Sequence, residues 1–122
     1  MKSLSEAEVW EFFDSRPGWA ALTSLGADGF PHTVAIGYFR LDKTIYCGCR
    51  DHTQKVRNLE AEPKASLMIE SGRDSGSLKG VTFQALASVV RDPEEIRHLK
   101  REPKSGIAYI KLEPVKILSW VR

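Results

Sequence analysis

Two stretches of this chain read as β-strands without a polar face, and that limits its folds more than any other feature. In residues 31–39, His32, Val34, Ile36 and Tyr38 alternate with Thr33, Ala35, Gly37 and Phe39. In residues 80–91, Val81, Phe83, Ala85, Ala87 and Val89 alternate with Thr82, Gln84, Leu86, Ser88 and Val90. Successive strand side chains point to opposite faces. An antiparallel sheet in water ordinarily packs one face and wets the other. Neither stretch offers a wet face, so the outer wall needs a cover: a helix, a ligand or a second subunit. A homodimer is the expected answer.

The rest of the chain supplies more strands and short helices. Ser5 and Glu8 form a capping box, with Leu4 and Val9 placed as its hydrophobic staple, and Arg16-Pro17-Gly18 ends that helix. Residues 19–25 read as a strand, and Gly26-Ala27-Asp28-Gly29 as a hairpin turn into residues 31–39. Leu41-Asp42-Lys43 turns into a third strand, 44–49. A helix follows over 53–60, then a fourth strand over 64–70. Residues 71–79 are polar and flexible in composition. After the fifth strand, Asp92-Pro93-Glu94-Glu95 opens a helix that ends before Pro103, with Arg97, Lys100 and Arg101 on a solvated face. Residues 107–112 and 115–121 read as final strands separated by Glu113-Pro114. About six strands in hairpin order, with short helices between, predict a mainly β chain whose antiparallel sheet closes on itself. With 122 residues and no internal repeat or linker, one domain spanning 1–122 is expected.

The segment from Thr44 to Leu59 carries the clearest chemistry. A strand runs into a basic turn and then a helix, and Arg50, Thr53 and Lys55 sit at the junction. A helix start offers unpaired N–H groups and the positive end of the macrodipole. A guanidinium, a hydroxyl and an ammonium beside them suit a phosphate-like anion, hence a phosphorylated cofactor. The plainer alternative is a solvated helix face with a threonine cap.

Other classes are disfavoured. Net charge is +2, from 18 basic and 16 acidic residues, too balanced to argue for nucleic acid or an anionic membrane. No apolar run has the length of a membrane span. No export signal is present, and Cys47 and Cys49 are poorly placed to bridge each other, so a reducing cytoplasm is expected. The two cysteines lack further soft ligands for zinc, and His32, His52 and His98 read as surface histidines, so no metal is expected. No triad, carboxylate pair or nucleotide loop is present, and no residue is assigned a catalytic role.

Three stretches together resemble the pyridoxamine-phosphate-oxidase-like FMN-binding split-barrel family. They are the paired strands from Trp19 to Ala35 around Asp28-Gly29, the run from Thr53 to Leu67 with its Lys-x-x-Asn-Leu and Ala-Ser-Leu segments, and the strand from Val81 to Val90 before an acidic helix. The resemblance covers about residues 5–122. It implies a six-stranded antiparallel split β-barrel, a homodimer with FMN between subunits, and oxidoreductase chemistry on a small-molecule substrate. Arg50, Thr53, Gln54 and Lys55 would hold the phosphate. The ring would lie against Ala35, Gly37, Gly48 and Cys49, with Gln84 near its edge and Trp120 supplied by the partner. The alternatives are a deazaflavin, F420, with its tail reaching Arg57 or Lys79, and a flavin-binding module without turnover. The chain lacks the Arg-x-x-x-Leu-Lys strand and the C-terminal basic motif of true pyridoxamine phosphate oxidases, so its substrate is unassigned.

Overall fold

Ser5 opens α1 (Glu6–Asp14) in the computed structural model, which describes residues 2–71 and 78–122. Its hydroxyl accepts from Glu8 N at 3.2 Å, and Glu8 Oε1 accepts from Ser5 N at 2.9 Å, completing the capping box. β1 (Ala20–Leu25), β2 (Pro31–Ile36), β3 (Phe39–Leu41) and β4 (Thr44–Arg50) follow, then α2 (Gln54–Ala61). β5 (Lys64–Glu70), β6 (Lys79–Val90), α3 (Pro93–His98) and β7 (Ile107–Val121) complete the chain. Residues 72–77 of the polar 71–79 segment lie outside the described residues.

The seven strands form one antiparallel sheet in the order β2-β1-β5-β6-β7-β4-β3. β2 and β3 lie at opposite ends of that order, yet only Gly37 and Tyr38 separate them in the chain. A two-residue link spans less than 15 Å, roughly. The sheet therefore curls until its two edges meet, which is the split barrel. Strand order departs from a plain hairpin series, because β1 pairs with β5 and β4 with β7.

Two boundaries differ from the sequence reading. The 31–39 run is two strands, because the chain leaves one sheet edge at Ile36 and joins the other at Phe39. The expected strands 107–112 and 115–121 are one strand. Gln84 pairs with Lys116 and Ala85 with Pro114, so Val115 is the extra residue of a bulge. Proline cannot donate to the ladder, and a bulge is where a strand tolerates it.

Phe83, Leu22, Leu67, Ile45, Ile110 and Leu112 fill the barrel. α1 adds Trp10 and Phe13, whose rings meet Phe83 at 5.3 and 5.8 Å between centroids. Arg40 of β3 ties that helix down, reaching Asp14 at 2.8 and 2.6 Å. The outward face has two cross-strand rows. One is Ala35, Ala21, Met68, Thr82 and Leu118; the other is Thr33, Thr23, Ser66, Gln84 and Lys116. Only Lys116 among these ten is charged, and Met68, Leu86 and Leu118 are exposed on the wall. These two rows thus lack a polar face in three dimensions as well, while the next row sets Leu86 between Lys64 and Glu113.

Candidate functional site

β4 ends at Arg50, and Asp51 and His52 turn the chain into α2. His52 takes a left-handed backbone, φ 62°, which makes the turn tight. Asp51 N donates to Gly106 O at 2.8 Å, anchoring the turn to the start of β7. Thr53 occupies the cap position of α2, but its hydroxyl donates to Arg50 O at 3.1 Å and caps no helix N–H. The first N–H groups of α2 therefore keep their capacity for another acceptor.

Where the sheet edges meet, a cleft of about 330 Å³ opens between β2, β4 and this turn. Ala35, Gly37, Gly48, Cys49, Arg50, Thr53 and Lys55 all line it, with Trp19 and Ile36. Residues from three separate elements thus converge. Among the described residues, neither Arg50 nor Lys55 forms an ion pair. The cleft thus brings two cations without ion-pair partners among the described residues and a hydroxyl together with a set of small residues. A Cβ on Gly37 would lie 3.5 Å from the Trp19 ring, and one on Gly48 would lie 3.0 Å from the Tyr109 ring. Residue 48 is therefore restricted by a packed aromatic as well as by the cleft. Burial pushes the Cys49 thiol above its usual pKa, and the Lys55 ammonium partly offsets this.

The other expected residues lie elsewhere. Gln54 turns away from the cleft: its amide donates to Asn58 Oδ1 at 2.7 Å, and its oxygen accepts from Arg57 at 2.9 Å. Gln84 stands exposed on the outer wall opposite Ser66 and Lys116. The Trp120 ring covers Gly80, where a Cβ would lie 2.4 Å away. Within one chain neither reaches the cleft.

The sequence reading missed two features. Trp19 is 75% exposed at the cleft mouth, whereas a strand-start tryptophan reads as core. A second cleft of about 510 Å³ shares Gly48, Cys49 and Arg50 with the first and adds Arg101, Glu102, Lys104, Ile107 and Tyr109. Arg101 was expected on a solvated helix face. Instead α3 stops at His98, Lys100 takes φ 63°, and the Arg101 guanidinium lies 3.9 Å from the Phe39 ring centroid. Among the described residues, no three His, Cys, Asp or Glu side chains converge on a metal-sized site, and no helix is long and apolar enough to cross a membrane.

A family model described as pyridoxamine 5'-phosphate oxidase matches residues 5–121, so the chain belongs to that family. No curated protein matches it. Its fold is similar to that of a conserved hypothetical protein, Rv2991, of Mycobacterium tuberculosis: 26% identical, covering 96% of this chain and 84% of the other, TM-score 0.82. A FAD-binding protein of Mesorhizobium loti is 14% identical over 99% of this chain and 97% of its own, with TM-score 0.81. An F420 reductase is 20% identical over 84% of this chain and 90% of its own, with TM-score 0.63. At the last two identities the likeness is one of fold.

Proposed function

We propose that the chain, as one domain over residues 1–122, is an FMN-binding oxidoreductase that works as a homodimer in the cytoplasm. The observation that carries this is the convergence of Arg50, Thr53 and Lys55 with Ala35, Gly37, Gly48 and Cys49 on one cleft. Arg50 and Lys55 neutralise the phosphate, and the free amides of α2, with Thr53 once its hydroxyl turns from Arg50 O, offer it hydrogen bonds. Ala35, Gly37 and Gly48 let a flat ring approach the backbone of β2 and β4. The flavin supplies the electron-transfer chemistry when bound, and the protein supplies position and electrostatics. A second copy of the chain covers the neutral outer wall, which brings Gln84 and Trp120 toward a site shared between subunits. The second cleft is left for a small substrate, with Arg101 and Lys104 favouring an anionic one.

One observation favours a second reading, F420. The two clefts share Arg50, and together their linings hold Lys55, Arg101 and Lys104 against one acid, Glu102. That set suits an anionic tail longer than one phosphate, and the likeness to an F420 reductase points the same way. Titration of the purified protein with FMN, with F420 as competitor, separates the readings. FMN held in the face of F420 supports the first. F420 bound with FMN excluded replaces it with the second, and binding of neither sinks both.

A further inference from the structure

The turn that carries the cations of the cleft also carries an acid. Asp51 lies between Arg50 and Thr53, and its side chain is only 12% exposed. His52 N donates to its Oδ1 at 2.7 Å, which fixes the carboxylate in the turn. A bare carboxylate there would oppose any anion arriving at Arg50 and Lys55.

Arg91 meets that carboxylate. It follows β6 directly and precedes Asp92, the cap of α3. Its Nε donates to Asp51 Oδ2 at 2.6 Å and its Nη2 to Oδ1 at 2.9 Å, a two-point grip. The same guanidinium donates to Glu60 at 2.8 and 3.0 Å. One side chain thus holds the turn before α2 and a carboxylate in the last turn of that helix. The planar fork of arginine suits this double grip, and lysine could not reproduce it. Hydrogen bonds from Arg91 hold both carboxyls below their usual range, so both remain charged at neutral pH. Arg91 and Glu60 are 39% and 45% exposed, and ion pairs that open to water add little to stability. The consequence of the grip lies in the local field at the turn.

We propose that Arg91 is a positioning residue for anion binding, which offsets the Asp51 charge in part, since Glu60 shares the guanidinium, and fixes the turn so that Arg50, Thr53 and Lys55 face the phosphate. This rests on the reading of the cleft as a phosphorylated-cofactor site. Arg91 lines a different pocket, with Pro93, Ile96 and Lys104, and does not line the cleft itself.

The test compares the affinities for FMN and for riboflavin, which lacks the phosphate, in wild type, Arg91→Met and Arg91→Met/Asp51→Asn. Arg91→Met is expected to weaken FMN on the order of tenfold and riboflavin by much less. Adding Asp51→Asn is expected to restore FMN to within about threefold of wild type. Equal losses for both ligands, no loss at all, or no rescue would overturn the proposal. If Arg91→Met does not fold, Asp51→Asn in the otherwise unchanged chain decides: tighter FMN supports the proposal, and weaker or unchanged FMN overturns it. A wild-type protein that binds neither ligand overturns the parent reading itself, and the proposal with it.

Discussion

Lys55 and Arg50 are the residues on which the cofactor reading turns. Among the described residues neither is held in an ion pair, so both charges can meet an incoming phosphate. Replacing either by alanine is expected to weaken FMN by roughly 1.5–3 kcal/mol, about ten- to a hundredfold or more. Unchanged affinity in both folded variants would take these residues out of the site. Cys47 gives a separate prediction. It is fully buried, and burial pushes its thiol from the ordinary value near 9.0 up to about 12. The folded chain therefore holds this proton where the unfolded chain has lost it. Stability from this group is complete below the unfolded pKa near 9.0 and is lost as pH rises toward about 12. Denaturant melts over that range should fall less steeply for Cys47→Ala than for wild type, and equal slopes would contradict the assignment. At this scale the convergence of Arg50, Thr53 and Lys55 was legible, because they flank one strand end and one helix start. The place of Gln54 was not legible, because successive helix residues point about 100° apart and its neighbours Thr53 and Lys55 took the cleft.

Among the elements, β7 shows why sequence patterns misplace boundaries. Proline in a central strand normally argues for a break, so Glu113-Pro114 read as one. The bulge at Val115 lets the strand continue, and a bulge leaves no local signature that separates it from a turn. The opposite error occurred at Gly37-Tyr38. The alternation there runs on without interruption, and only the barrel closure shows that the strand changes edge. Deleting Val115 is expected to keep the fold, because Gln84–Lys116 and Ala85–Pro114 then become consecutive pairs and Ile117 stays inward. Circular dichroism and a melt would read this; loss of the cooperative transition would refute the register. The capping box, by contrast, was fully legible, because its partners lie three residues apart and need no tertiary information.

The whole molecule is a sheet whose two edges are tied by two residues, and the cleft lined by Arg50 and Lys55 lies where those edges meet. That placement was legible only through the family resemblance, since strand order depends on long-range pairing that periodicity does not encode. The two weakly polar rows of the outer wall were legible, because they follow from alternation alone. Met68 is exposed in the middle of that wall, flanked by Ala21 and Thr82. Met68→Glu would bury charge against an equally neutral copy and is expected to shift the protein to monomer. Light scattering reads the mass, and a dimer that persists in this variant would move the interface elsewhere. The central claim is that this chain holds FMN in the cleft between β2 and β4. Its most direct test is the visible absorption spectrum of the freshly purified protein, followed by titration with FMN counted per chain. The account predicts a yellow protein, or one that saturates at one FMN per chain. A colourless protein with no saturable FMN binding would contradict it.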